Sequence, residues 1–188
     1  MKRVIASFEM SWSIYDSWAE LLSGTRMLLD FAEEQGGGTI QEANLLRLVL
    51  VSSHQMNEVM FFSQIETRMD QHPDPVKALF HYDMKRRISF SDALEKWPEV
   101  ITGEKLDFSS EPLQSMNSLA KHRNAAIHHT ATAPQANVGE SAFFTAIEAS
   151  KAIYNHFNQG LWGSSEYAKL VESNKAKSKT YLRSALKE

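Results

Sequence analysis

Apolar residues recur at helical spacing along nearly the whole chain, and no alternating strand pattern of useful length interrupts them. Over residues 7–34, Phe8, Trp12, Tyr15, Trp18, Leu22 and Leu29 stand three, four or seven apart. That is one stripe of one helix, with Ser23-Gly24 as its weak point. Gln35-Gly36-Gly37-Gly38 ends it, because consecutive glycines lose too much backbone entropy to stay helical. Thr39 then reads as the N-cap of a second helix, with Glu42 where a capping box needs it. This helix, about 40–69, carries Leu45, Leu46, Leu48, Val49, Leu50, Val51, Val59, Met60, Phe61, Phe62 and Ile65. It is apolar on more than one side, which assigns it to the centre of a bundle. Gln71-His72-Pro73-Asp74-Pro75 stops it.

Two short helices follow, over 76–87 and 91–97, the second capped by Ser89 or Ser91 and closed by Trp97-Pro98. Residues 98–110 read as loop. A longer helix spans about 111–129 with Pro112 in its first turn. A loop from Thr130 to Gly139 leads to an amphipathic helix over 140–159, whose apolar side holds Phe143, Ala146, Ile147, Ile153, Tyr154 and Phe157. Gly160 is its expected cap. Residues 165–187 read as a last, basic helical stretch. The expected fold is therefore an all-α, up-and-down helical bundle over residues 1–160. A basic helical C-terminal extension, 161–188, packs on it or beside it. At 188 residues the chain has the length of one domain and can bury a core without staples.

The chain has no cysteine, which excludes a disulfide scaffold, a zinc ribbon, an Fe–S centre and a cysteine nucleophile. A reducing cytoplasm is the default compartment. Twenty basic against 23 acidic residues carry no global nucleic-acid signature. The distribution is less even: residues 166–188 hold six Lys or Arg against three Glu. Such a tail is a solvated helical face or a contact for a polyanion. The opening Met1-Lys2-Arg3 resembles the start of a signal peptide, but Glu9 and Asp16 interrupt the apolar run it needs. No window of about 18 apolar residues exists, so no membrane span is expected.

The segment with chemistry in it is Leu119-Ala120-Lys121-His122-Arg123-Asn124-Ala125-Ala126-Ile127-His128-His129. Met116, Ala120 and Ile127 mark an apolar stripe, and Arg123 falls on it, so a guanidinium points toward the buried side. A buried charge is expensive unless paired. It belongs either to a structural salt bridge or to a site. Asn124, four residues before His128, shares its face and can orient the imidazole. On the second helix Glu58 lies within the stripe of Leu48, Val51, Phe62, Ile65 and Met69, with His54 one turn earlier. Glu58 is the expected partner of Arg123 across the seam, as a register-fixing salt bridge or as a carboxylate that positions Arg123 or His128.

Arg123-Asn124-Ala125-Ala126-Ile127-His128 resembles the Arg–polar–variable–His signature of the HEPN superfamily. These are small helical proteins, many of them ribonucleases of toxin–antitoxin, phage-defence and RNA-processing systems. The resemblance covers roughly residues 5–160. It implies a metal-independent endoribonuclease without cofactor, in which Arg123, Asn124 and His128 act on RNA with Glu58 in support; beside the resemblance, His54, one turn from Glu58, and His129, adjacent to His128, are further supporting candidates. The RNA 2′-hydroxyl is the nucleophile and a 2′,3′-cyclic phosphate the product. A histidine, with an ordinary pKa of ~6.5, can serve as base or acid, and an arginine can neutralise the added phosphorane charge. The resemblance also implies a homodimer with the site at or near the interface, and allows for an antitoxin protein as partner. Lys85-Arg86-Arg87 reads as a solvated helix end that complements the dipole or as a contact to an RNA backbone, and Lys121 and His122 are further candidate RNA contacts.

Three other readings compete. One is a catalytically silent module of the same type that binds RNA, a nucleotide or a protein. Another is a metal site from His122, His128 and His129, poorly served because His122 and His129 stand two turns apart. The third is a plain interaction protein, with Trp12, Trp18, Trp97, Trp162 and eight Met as its sticky surface.

Overall fold

The helical stripes become eight helices and one 3₁₀ turn among the described residues, with no strand. The computed structural model describes residues 2–128 and 134–187, residues 2–16 for the backbone alone. Helix α1, Lys2–Glu34, runs unbroken through Ser23-Gly24. The glycine turn after it puts Gly36 and Gly38 at positive φ, 72° and 86°, where a side chain would be strained. Thr39 then caps α2, Ile40–Met69, by accepting from the Glu42 amide. The Glu42 carboxylate reaches back to the Gly38 amide at 2.5 Å, one residue earlier than in the usual capping box.

Helix α2 is central. It packs on α1, on α4 (Phe90–Thr102), on α5 (Leu113–Ile127) and on α6 (Ala136–Phe157). Leu46, Val49, Met56, Met60, Phe61 and Ile65 are almost fully buried around it. Each such side chain contributes about 1.5–3 kcal/mol on burial. Leu48 departs from the expected stripe and is 52% exposed. A polar relay threads the core: Trp18 Nε1 donates to Ser150 Oγ at 3.3 Å, which donates to Asn57 Oδ1 at 3.1 Å. The far ends of α2 and α6 are pinned by Arg68, which bonds the Phe157 carbonyl and Asn158 Oδ1, and by Asn158 Nδ2 on Gln64 Oε1.

Three expected boundaries change. Helix α3, Asp74–Lys85, holds close to expectation, but α4 does not stop at Pro98. It continues to Thr102 and ends on Gly103 at φ 80°. An interior proline costs one hydrogen bond, ~3 kcal/mol or more; here Trp97 and Pro98 are both buried, and that packing offsets the loss. Helix α5 starts at Leu113, after Pro112, and α6 begins at Ala136, inside the expected loop.

The C-terminal stretch is not one helix. After a 3₁₀ turn at Leu161–Ser164 come α7, Glu166–Ser173, an extended strap over 174–181, and α8, Leu182–Leu186. The strap crosses α1 and α6: the Lys177 amide donates to Glu140 at 2.9 Å, and its Nζ meets Asp30 at 3.4 Å and Glu33. Helix α8 then packs on α5 and α6, with Leu182 fully buried and its amide on Thr145 Oγ1 at 2.9 Å. A continuous helix over these residues would carry its basic side chains past those anchors. No helix of the described residues is long and apolar enough to cross a membrane.

Candidate functional site

The site is built where the second half of α5 meets the middle of α2. The buried residues of α5 are Leu113, Ser115, Met116, Ser118, Leu119 and Ala126. Arg123 lies on that side, between Leu119 and Ala126. The stripe is thus shifted from the expected one: Ala120 is half-buried, and Ile127 is 45% exposed at the helix end. Shape and charge conflict at Arg123, whose Nε is buried without a hydrogen-bond partner. Its Nη1 donates to Asn124 Oδ1 at 2.9 Å. Asn124 therefore serves the guanidinium, and among the described residues no bond from its side chain to the His128 imidazole is formed. The backbones of the two residues are bonded instead, His128 N to Asn124 O at 3.1 Å.

Across the seam stand His54 and Glu58 on α2. His54 is 5% exposed, its ring edge-on to Phe90 at 5.5 Å, and its Nδ1 has no hydrogen-bond partner. Burial, and then the positive charge of Arg123, pull His54 down to about 4, so it is neutral near pH 7. Glu58 Oε1 lies 3.6 Å from His54 Nδ1, beyond a good hydrogen bond. Burial raises the Glu58 carboxyl, while the Arg123 charge acts the other way. Arg123 and Glu58 thus feel each other's charge but are not in ion-pair contact, and the expected salt bridge between them is absent among the described residues. The guanidinium is held on one side by Asn124 and has no acid in ion-pair contact among the described residues.

His128 closes α5 with φ −84° and ψ 4°, and its side chain is exposed. Five residues after Arg123, it leaves the helix rotated by about 140°. Lys121 is exposed and His122 half-buried on the same helix. Lys85, Arg86 and Arg87 are exposed at the end of α3. His129 lies outside the described residues, so the three-histidine arrangement has no described geometry. Among the described residues no three His, Asp or Glu side chains group as metal ligands. Two participants escaped the sequence reading. Phe90 walls His54 and also meets Phe61 and Phe62. Tyr82 lies four residues before Arg86 and carries its guanidinium. That aromatic–basic spacing on a helix was the available signal for Tyr82; for Phe90 there was none, since it starts its helix from another part of the chain.

Comparison with protein-family models, with curated proteins and with solved structures finds no match in any of the three.

Proposed function

We propose that this chain is a metal-independent, cytoplasmic endoribonuclease of HEPN type, with Arg123 and His128 as its catalytic pair. The observation that supports this most is the state of Arg123: a half-buried cation, oriented by Asn124, with no carboxylate in ion-pair contact among the described residues. A structural arginine on a buried stripe is normally neutralised by an acid. This one is left for an anion that arrives from outside, and a phosphodiester fits its planar donors.

In the proposed reaction His128 accepts the proton of the RNA 2′-hydroxyl, and the 2′-oxygen attacks the adjacent phosphorus. Arg123 stabilises the charge that builds on the phosphoryl oxygens. The bond from phosphorus to the 5′-oxygen breaks, and that oxygen takes a proton. The products carry a 2′,3′-cyclic phosphate and a 5′-hydroxyl. A second His128, from a homodimer, would supply acid and base together. An antitoxin protein covering the exposed end of α5 fits the same reading.

The test is cleavage of mixed cellular RNA and of tRNA in excess EDTA, by wild type and by His128→Ala, each shown folded by circular dichroism. Cleavage by wild type alone, with cyclic phosphate ends, supports the reading. Loss of general acid–base catalysis reduces rates by about 10²–10⁴. RNA binding without cleavage by either would move the assignment to a silent binding module.

A further inference from the structure

The end of α3 carries a surface that the catalytic reading does not use. Helix α3 buries only Phe80. Tyr82 is 54% exposed, and Arg86 lies over its ring at 5.3 Å with Nη1 on the Tyr82 hydroxyl at 2.8 Å. Lys85, Arg86 and Arg87 are all exposed, and none of them is in ion-pair contact with an acid among the described residues. The nearest acid in sequence, Asp83, is taken by Lys96 Nζ at 2.5 Å. Three neighbouring cations without counter-charges, beside an exposed aromatic ring, are complementary to a strand of phosphates with unpaired bases.

The chain path ties this surface to the site. Arg87 turns out of α3 at φ 57°, and three residues later Phe90 packs on the His54 ring. Three residues span at most ~11 Å. His54 in turn feels the charge of Arg123. The basic turn is thus joined to the Arg123 seam through Phe90 and His54.

We propose that Tyr82, Lys85, Arg86 and Arg87 form a platform for single-stranded RNA, with one base stacked on Tyr82 and the backbone led toward Arg123. The proposal rests on the ribonuclease reading for what the strand is led to, but its test does not depend on cleavage. A duplex offers no free base face to a lone tyrosine, so single strands are preferred.

The test is fluorescence anisotropy with a labelled single-stranded RNA 15-mer and the matching duplex, in the His128→Ala background. Tyr82→Ala should weaken single-strand binding about tenfold, the loss of one stacked base. Tyr82→Phe keeps the ring but frees Arg86, and should lose less than Tyr82→Ala. Changing Lys85, Arg86 and Arg87 to Ala together should weaken binding further and reduce the slope of log affinity against log salt by about 2, at about 0.7 per phosphate contact. No binding by the parent, equal binding of the duplex, or unchanged affinity in both variants would overturn the platform. Cleavage by the wild-type chain is scored separately. Cleavage with platform variants that bind normally would sink the platform and keep the nuclease. Platform-dependent binding without any cleavage would do the reverse.

Discussion

The two halves of α5 are built to different rules. In the first half every polar group near the core has a partner. Ser115 Oγ donates to Glu111 at 2.8 Å and accepts from the Arg183 amide of α8 at 3.3 Å, and the Ser115 amide meets the other Glu111 oxygen at 3.1 Å. Met116 and Leu119 are buried beside it. In the second half Arg123 Nε and, facing it from α2, His54 Nδ1 are buried without partners. Ile127 and His128 stand exposed. A helix satisfied at one end and frustrated at the other is held firmly in its first half and costly in its second. Buried polar groups without partners cost about 1–3 kcal/mol each, and sites keep such costs when a ligand removes them.

Deleting a core contact in the satisfied half should have the largest effect on stability. Leu119→Ala is expected to lose about 2–5 kcal/mol, read from the shift of the urea midpoint at unchanged slope. A loss near zero would mean that this half is not the scaffold.

The next effect is a pH dependence. The folded state holds His54 at about 4, below its ordinary 6.5, so the unfolded chain takes up a proton first as pH falls. Stability should therefore be fully present above pH 6.5 and decline between there and about 4, by about 3 kcal/mol. Glu58, raised by burial, contributes in the opposite direction. His54→Leu should flatten the decline. Urea midpoints at several pH values for both proteins check this, and a decline of equal size in the variant would assign it elsewhere.

A smaller effect sharpens the comparison from the other side. Ser115→Ala leaves the Arg183 amide and Glu111 without a shared partner, at about 1–2 kcal/mol. Hydrogen exchange should quicken at Arg183 and over α8 while α2 keeps its protection. Uniform quickening across the molecule would show that α8 does not act as a separate clip.

The architecture was legible where a single physical signal ruled. The apolar density of α2 announced its central position, and Thr39 with Glu42 marked its start. Prediction broke where tertiary packing overrode a local rule. Pro98 is a breaker by local chemistry, but its burial with Trp97 carries α4 past it. The basic spacing of the tail reads as helix, but Leu182 and Lys177 find anchors on α5, α6 and α1 that a straight helix could not reach. At the site, periodicity brought Arg123 and Glu58 to one seam but could not say that they stop short of contact. That distinction needs the positions of both helices, and the case for function at Arg123 rests on it.

One measurement therefore tests the account most directly: the stability and the RNA cleavage of Arg123→Met, compared with wild type in the same buffers. Methionine keeps most of the volume and removes a half-buried charge that has no ion-pair contact among the described residues, so the reading predicts unchanged or slightly higher stability together with loss of cleavage. A large drop in stability with cleavage retained would contradict it, and would make Arg123 a structural residue.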